Sequence, residues 1–167
     1  HIDYLTGLVN RRHFIELAAT ELSRLSRYGG ELSLILFDID HFKLINDTHG
    51  HSVGDLILQK IAQICRENIR DVDIVGRLGG EEFVVLLPQT NRQQATEAAE
   101  RIRLALANAK VRLERGVTQY FTASFGVVTI SSGTNEHAKP TSIDDLLIRA
   151  DSAMYQAKHS GRNQVCS

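Results

Sequence analysis

Two adjacent glutamates follow two adjacent glycines at Gly79-Gly80-Glu81-Glu82, and a third carboxylate, Asp38, closes an apolar run earlier in the chain. Carboxylates placed side by side repel each other. They make chemical sense where a positive charge sits, such as a hard cation. Apolar runs at residues 72–78 and 82–87 flank the glycines. A Gly-Gly pair between two such runs signals a hairpin, because the primed turns need positive φ and glycine adopts it without a Cβ clash. Taken alone, the hairpin is explained as well by glutamates solvated at its tip. Asp38 shifts the balance, since a carboxylate at the end of a buried strand is costly without a partner. If the strand at residues 31–39 pairs beside the hairpin, Asp38, Glu81 and Glu82 converge. A carboxylate cluster without His or Cys favours Mg²⁺ over zinc. Mg²⁺ held by few protein ligands shares the rest with substrate phosphates. That points to a nucleoside triphosphate and to phosphoryl or nucleotidyl transfer, with one or two metals.

The elements that must position these groups follow from periodicity. Asn10 caps a helix whose stripe is Phe14, Leu17, Ala18, Leu22, Leu25 and Tyr28, stopped by Gly29-Gly30. Residues 31–39 form a near-continuous apolar run, expected as a central strand buried on both faces. A short helix is expected over residues 41–48, a two-glycine loop over 49–55, and a longer helix over about 55–69. Strands at 72–78 and 82–87 make the hairpin, and Pro88 ends the second. An alanine-rich helix spans 91–109. A strand at 120–130 is interrupted by Gly126, with 111–114 as a candidate partner. Residues 131–140 are a polar loop. Ser142 caps the last helix, Gly161 ends it, and 163–166 suit a short edge strand. The class is α+β: a ferredoxin-like, mostly antiparallel central sheet flanked by helices.

Composition narrows the function. The 167 residues suit one domain able to bury a core. A net charge of -1 argues against a nucleic-acid surface, so neither DNA nor RNA is expected as a partner. The two cysteines, Cys65 and Cys166, form no metal-type cluster, and a buried thiol in a reducing, cytoplasmic compartment is expected. No run reaches transmembrane length, so no membrane contact is expected of this stretch. The chain starts at His1 with a motif already under way, and is expected to be the C-terminal part of a longer sensor protein, which could itself be membrane-tethered. His41, His49 and His51 lie near the acidic strand end, but their spacing fits no common zinc pattern.

Gly79-Gly80-Glu81-Glu82-Phe83 resembles the signature of the GGDEF family of diguanylate cyclases in its Gly-Gly-Glu-Glu-Phe form. The resemblance covers nearly the whole chain. It includes Asp3-x-Leu5-Thr6-Gly7-Leu8-x-Asn10-Arg11-Arg12 and Phe37-Asp38-Ile39-Asp40-His41-Phe42-Lys43-x-Ile45-Asn46-Asp47. It continues through Gly50-His51-x-x-Gly54-Asp55 to Ala150-Asp151-x-Ala153-Met154-Tyr155-x-Ala157-Lys158-x-x-Gly161-Arg162-Asn163. Leu78 departs from the family's usual aromatic residue.

The resemblance implies condensation of two GTP molecules into cyclic di-GMP, with release of two pyrophosphates, between two facing copies of the domain. It implies Mg²⁺, replaceable by Mn²⁺, held by Asp38, the carbonyl of Ile39, Glu81 and Glu82, with Glu81 as general base. It assigns guanine to Asn46 and Asp55, and the triphosphate to Lys43, Lys158 and Arg162. Phe42, His51, Gly79 and Gly80 are placed beside the nucleotide. Without the family, Asp55 would be a helix-capping acid, Asn46 a helix-end residue and the cations surface charges. Arg70 and Asp73, with Arg101, match the family's inhibitory product site; the plainer alternative is a surface ion pair.

Overall fold

The computed structural model describes residues 1–132 and 141–167. In chain order the elements are β1 (Val9–Asn10), α1 (Arg11–Tyr28), β2 (Glu31–Ile39), α2 (Phe42–His49), α3 (His51–Glu67), β3 (Ile74–Gly79), β4 (Glu82–Pro88) and α4 (Arg92–Ala107). They continue with β5 (Val111–Arg112), β6 (Thr118–Gln119), β7 (Ala123–Ser131), α5 (Ile143–His159) and β8 (Val165–Cys166). The main sheet has six strands in the order β1-β3-β4-β2-β7-β8. Its centre is antiparallel, and β1 and β8 add parallel edges. Helices cover both faces, so the α+β class expected from the sequence stands. Among the described residues no helix is long and apolar enough to cross a membrane.

β2 explains how one strand organises two cores. Side chains alternate along a strand. Ile35, Phe37 and Ile39 join the cluster under α3 and α4, while Leu32, Leu34 and Leu36 join the cluster under α1 and α5. Phe37 pairs in register with Phe83 on one side and Phe125 on the other, with ring centroids 5.4 and 4.6 Å apart. This aromatic row lies one residue before Asp38 and fixes the register there.

Several boundaries differ from expectation. β3 starts at Ile74 because Arg70–Asp73 forms a turn held by Asp73, whose carboxylate accepts from the Arg70 N–H at 2.8 Å. The hairpin loop is Gly80-Glu81, not Gly79-Gly80. A bulge between Arg77 and Gly79 sets Gly79 opposite Glu82. Gly80, the first loop residue, has φ +50°, and a two-residue loop with positive φ at its first position alone takes glycine there. Helix α3 begins at His51, so Gly50 alone breaks the chain between α2 and α3. Asp55 thus lies in the second turn and does not cap the helix, and His51 is a helical residue, not a loop one. Residues 111–114 do not pair with the long strand; β5 pairs with β6 in a separate two-stranded ribbon. The expected polar loop at 131–140 lies, from residue 133 on, outside the described residues.

Gly126 is no interruption. A Cβ there would lie 2.1 Å from the Ala150 carbonyl oxygen and 2.5 Å from the Met154 nitrogen. Glycine lets the backbone of α5 rest directly on β7, a use of glycine where another backbone approaches.

Candidate active site

The C-terminal end of β2 holds the acidic groups. Asp38 stands opposite Glu82 of β4 and opposite Ser124 of β7. The strand adjacency expected of β2 and the hairpin therefore occurs, and it sets Asp38 beside Glu82. Asp38 shares the strand face of Leu34 and Leu36, which is the face α5 covers. Lys158, near the end of α5, reaches it and donates to Oδ2 at 2.5 Å. Oδ1 is buried and has no hydrogen-bond partner among the described residues. Burial raises the Asp38 pKa, and Glu81 and Asp40 add to this, against the lowering by Lys158.

Asp40 has a different place. It is 5% exposed and fully engaged: Thr122 Oγ1 and Ser124 Oγ each donate to it at 2.6 Å, and the Asn163 N–H donates at 3.1 Å. Its oxygens are used to pin β7 and the turn carrying Arg162, whose φ is +62°. The Asp-Ile-Asp spacing puts both acids on one face, yet only Asp38 keeps a free oxygen.

The hairpin turn is buttressed by Arg77, which the sequence reading did not single out, and by Asp3, which it presented only as part of a motif. Arg77 donates from Nε and Nη2 to the Gly80 carbonyl at 2.9 and 2.7 Å, and from Nη1 to Asp3 at 3.2 Å. Asp3 also accepts from the Thr6 N–H and hydroxyl at 2.9 and 2.6 Å. Burial pushes the Asp3 pKa up, but these bonds and Arg77 bring it below its ordinary value. Such a chain from the opening segment to the turn leaves no periodic trace in sequence.

Glu81 and Glu82 are both half-buried. Burial raises the Glu82 pKa, with Asp151 and Asp38 adding to it and Arg11 and Lys158 opposing. A folded carboxyl with a raised pKa keeps its proton to higher pH than the unfolded chain does. Its ionised form therefore weakens the fold above that pKa, and the penalty fades as pH falls through it. Glu82→Gln is expected to raise Tm at pH 8, with the gain shrinking toward about pH 4. Thermal scans across pH check this; a lower Tm for the variant at pH 8 would contradict it.

The oxygens of Asp38, Glu81 and Glu82 do not all fall within 4.8 Å of one another. The group is looser than a closed ligand cage. That suits a cation such as Mg²⁺, which takes one or two carboxylates and fills its octahedron with water or phosphate. The orphaned Asp38 Oδ1 supplies a ready acceptor, so the residues present fit a metal.

A second corner lies between α2 and α3. Asn46 Oδ1 is the other buried side-chain acceptor without a partner among the described residues. A Cβ on Gly54 would come 2.0 Å from that oxygen and 3.0 Å from Phe42 Cζ. This explains a glycine inside a helix despite its poor propensity. Phe42 is buried beneath this corner; Asp55, Lys43 and His51 are exposed around it. Arg162 is exposed past the end of α5, and Gly79 and Gly80 are open to solvent above the turn.

Arg70, Asp73 and Arg101 meet away from this end. With Thr90, Gln94 and Glu97 they line a cavity of about 230 Å³. Asp73 grips the Arg70 fork at 2.8 and 3.2 Å, and Arg70 also donates to Thr90 Oγ1 at 2.8 Å.

Comparison with known proteins bears on the family and the fold. The chain is 40% identical over 163 residues to Diguanylate cyclase DgcP of Pseudomonas aeruginosa, covering 98% of this chain and 23% of that protein. It spans less than half the length of the curated relatives it matches first. The GGDEF domain of DgcB from Caulobacter crescentus, solved with c-di-GMP, superposes with a TM-score of 0.89 at 29% identity, covering 99% of this chain and 94% of that one. The active GGEEF domain of a diguanylate cyclase from Vibrio cholerae superposes at 0.84 with 36% identity, covering 95% and 96%. The family described as "Diguanylate cyclase, GGDEF domain" matches residues 1–164. A match of that extent, on a sheet of this topology with the motif at its hairpin, shows that the chain belongs to the GGDEF family of diguanylate cyclase domains.

Proposed function

We propose that the chain is a single catalytic domain that joins two GTP molecules into cyclic di-GMP and releases two pyrophosphates. The observation that carries this reading is the pair of buried acceptors without partners, Asp38 Oδ1 at the acidic corner and Asn46 Oδ1 between α2 and α3. Buried polar atoms are rarely left unpaired. One suits a metal, and the other an N–H of a base. Guanine presents adjacent N–H donors, which the exposed carboxylate of Asp55 matches, while the Asn46 amide takes a further contact. Phe42 floors this corner and His51 flanks it.

Lys158, Lys43 and Arg162 bring positive charge to the triphosphate. The open surface above Gly79 and Gly80 leaves phosphates room to approach the turn. Glu81, on a loop whose Gly80 carbonyl accepts from Arg77, takes the proton from the attacking 3′-hydroxyl in this reading. The leaving group is pyrophosphate. One or two Mg²⁺ ions, replaceable by Mn²⁺ and held by Asp38, the Ile39 carbonyl, Glu81 and Glu82, would neutralise the triphosphate and acidify that hydroxyl. Each copy holds one GTP, so two copies must face each other. The free cysteines, with Cys65 buried, suit a reducing cytoplasm.

Chromatography after incubation with GTP and Mg²⁺ tests this: cyclic di-GMP with two pyrophosphates per product is expected, and GTP binding by dimeric chains without product would refute it. The Arg70–Asp73–Arg101 cavity is the product site in this reading, with the Arg70 fork meeting guanine or phosphate. Arg70→Ala is expected to weaken inhibition by cyclic di-GMP roughly tenfold or more, read as a shift in the half-inhibiting concentration. Unchanged inhibition would remove the site from the account.

A further inference from the structure

We propose that His1, His13 and Glu16 form a Zn²⁺ site on the surface, separate from the carboxylates at the end of β2. One ligand atom from each lies within 4.8 Å of those of the other two, and among the described residues no other three such side chains meet so closely. Two imidazoles and a carboxylate are donors for a borderline cation such as zinc. Mg²⁺ and Ca²⁺ prefer oxygen alone.

The three ligands come from two segments. His13 and Glu16 are three residues apart on α1 and share a face. His1 is carried over by the opening segment. That segment folds back so that the Asn10 N–H donates to the His1 carbonyl at 3.0 Å and Ile2 bridges Val9. The His1 and His13 rings meet edge to face at 4.9 Å, and Glu16 Oε2 lies 3.4 Å from His13 Nδ1. In a tetrahedral zinc site, bonds of about 2.0–2.1 Å put neighbouring ligand atoms about 3.3 Å apart. Closing to that spacing takes rotamer adjustment of exposed His1 and Glu16 and half-buried His13. Two features oppose the cation: Arg12 reaches Glu16 at 3.5 Å, and the positive end of α1 lies close. The site is therefore a three-ligand surface site, completed by water and weaker than a four-ligand structural one.

Its consequence is mechanical. Bound zinc ties the opening segment to α1. That segment also carries Asp3, which holds Arg77, which holds the carbonyl of Gly80 at the catalytic turn.

The test is calorimetric titration with Zn²⁺ in metal-free buffer. It uses the chain with its N-terminus acetylated, so that the α-amine and imidazole of His1 cannot chelate the ion between themselves. One Zn²⁺ per chain and a rise in Tm are expected. His13→Ala, which removes a direct ligand, is expected to weaken binding by at least the roughly 10- to 100-fold that losing an outer-shell partner costs, and to remove the Tm rise. Glu16→Gln does so to a smaller extent, and Asp38→Asn leaves both unchanged. Far-ultraviolet dichroism confirms that the variants are folded. The site is overturned if the acetylated chain binds no Zn²⁺, if His13→Ala binds as tightly as the parent, or if Asp38→Asn abolishes binding.

Discussion

Asp38→Asn is expected to lower cyclic di-GMP formation by about 10²- to 10³-fold, the scale seen when a preorganised electrostatic contact to developing charge is lost. The substitution keeps shape and removes charge. Asp38 sits at the strand end where β2, β4 and β7 meet, directly opposite Glu82. Its Oδ1 is the unpartnered acceptor, and its Oδ2 already takes Lys158. An amide can still accept from Lys158, but it offers a divalent cation only a neutral oxygen. Stability should change little. Burial raises the Asp38 pKa, so the fold carries its charge at a cost above that pKa, and Lys158, 31% exposed, can turn to water. GTP affinity through Asn46 and Asp55 is expected to persist, because that corner is built on α2 and α3. Nucleotide chromatography with a parallel GTP-binding titration reads both halves. Parental turnover by the variant would remove Asp38 from the metal set.

Gly126→Ala is the second large effect, and it acts through the fold. The added methyl would sit 2.1 Å from the Ala150 oxygen and 2.5 Å from the Met154 nitrogen, both backbone atoms of α5. Backbone cannot rotate aside as a side chain can, so the helix must lift from β7. Overpacking of this kind costs about 3 kcal/mol, or roughly 6–12 °C in Tm for a domain of this size. Lys158 follows Met154 by four residues on the same helix and should leave Asp38, so activity is expected to fall even at temperatures where the variant is folded. Thermal unfolding and product assays at low temperature separate the two losses. A variant with unchanged Tm would show that α5 does not rest on the strand as described.

The two glycines that matter most to packing were the least legible in sequence. Gly126 read as a break and Gly54 as part of a loop, because a close approach depends on a partner distant in sequence. β2 was legible to the residue, since an apolar run between glycines and acids has one plausible fate in a sheet. The caps Asn10 and Ser142 were equally plain, each accepting from the N–H three residues on. The hairpin was found, but its register was not. The bulge that moves the loop to Gly80-Glu81 lies on β3 between Arg77 and Gly79, where no period in the sequence marks it. Convergence of Asp38 with Glu82 followed from strand adjacency. The closure of Asp40 by Thr122, Ser124 and Asn163 did not, because hydrogen bonds between remote side chains have no spacing to betray them.

The initial rate of cyclic di-GMP formation from GTP and Mg²⁺, followed across a range of chain concentrations, tests the central claim most directly. With one GTP on each of two facing copies, the account predicts product whose rate rises with the square of chain concentration until dimers saturate. Chains that bind GTP and are demonstrably dimeric, yet release no cyclic di-GMP at any concentration, would contradict it.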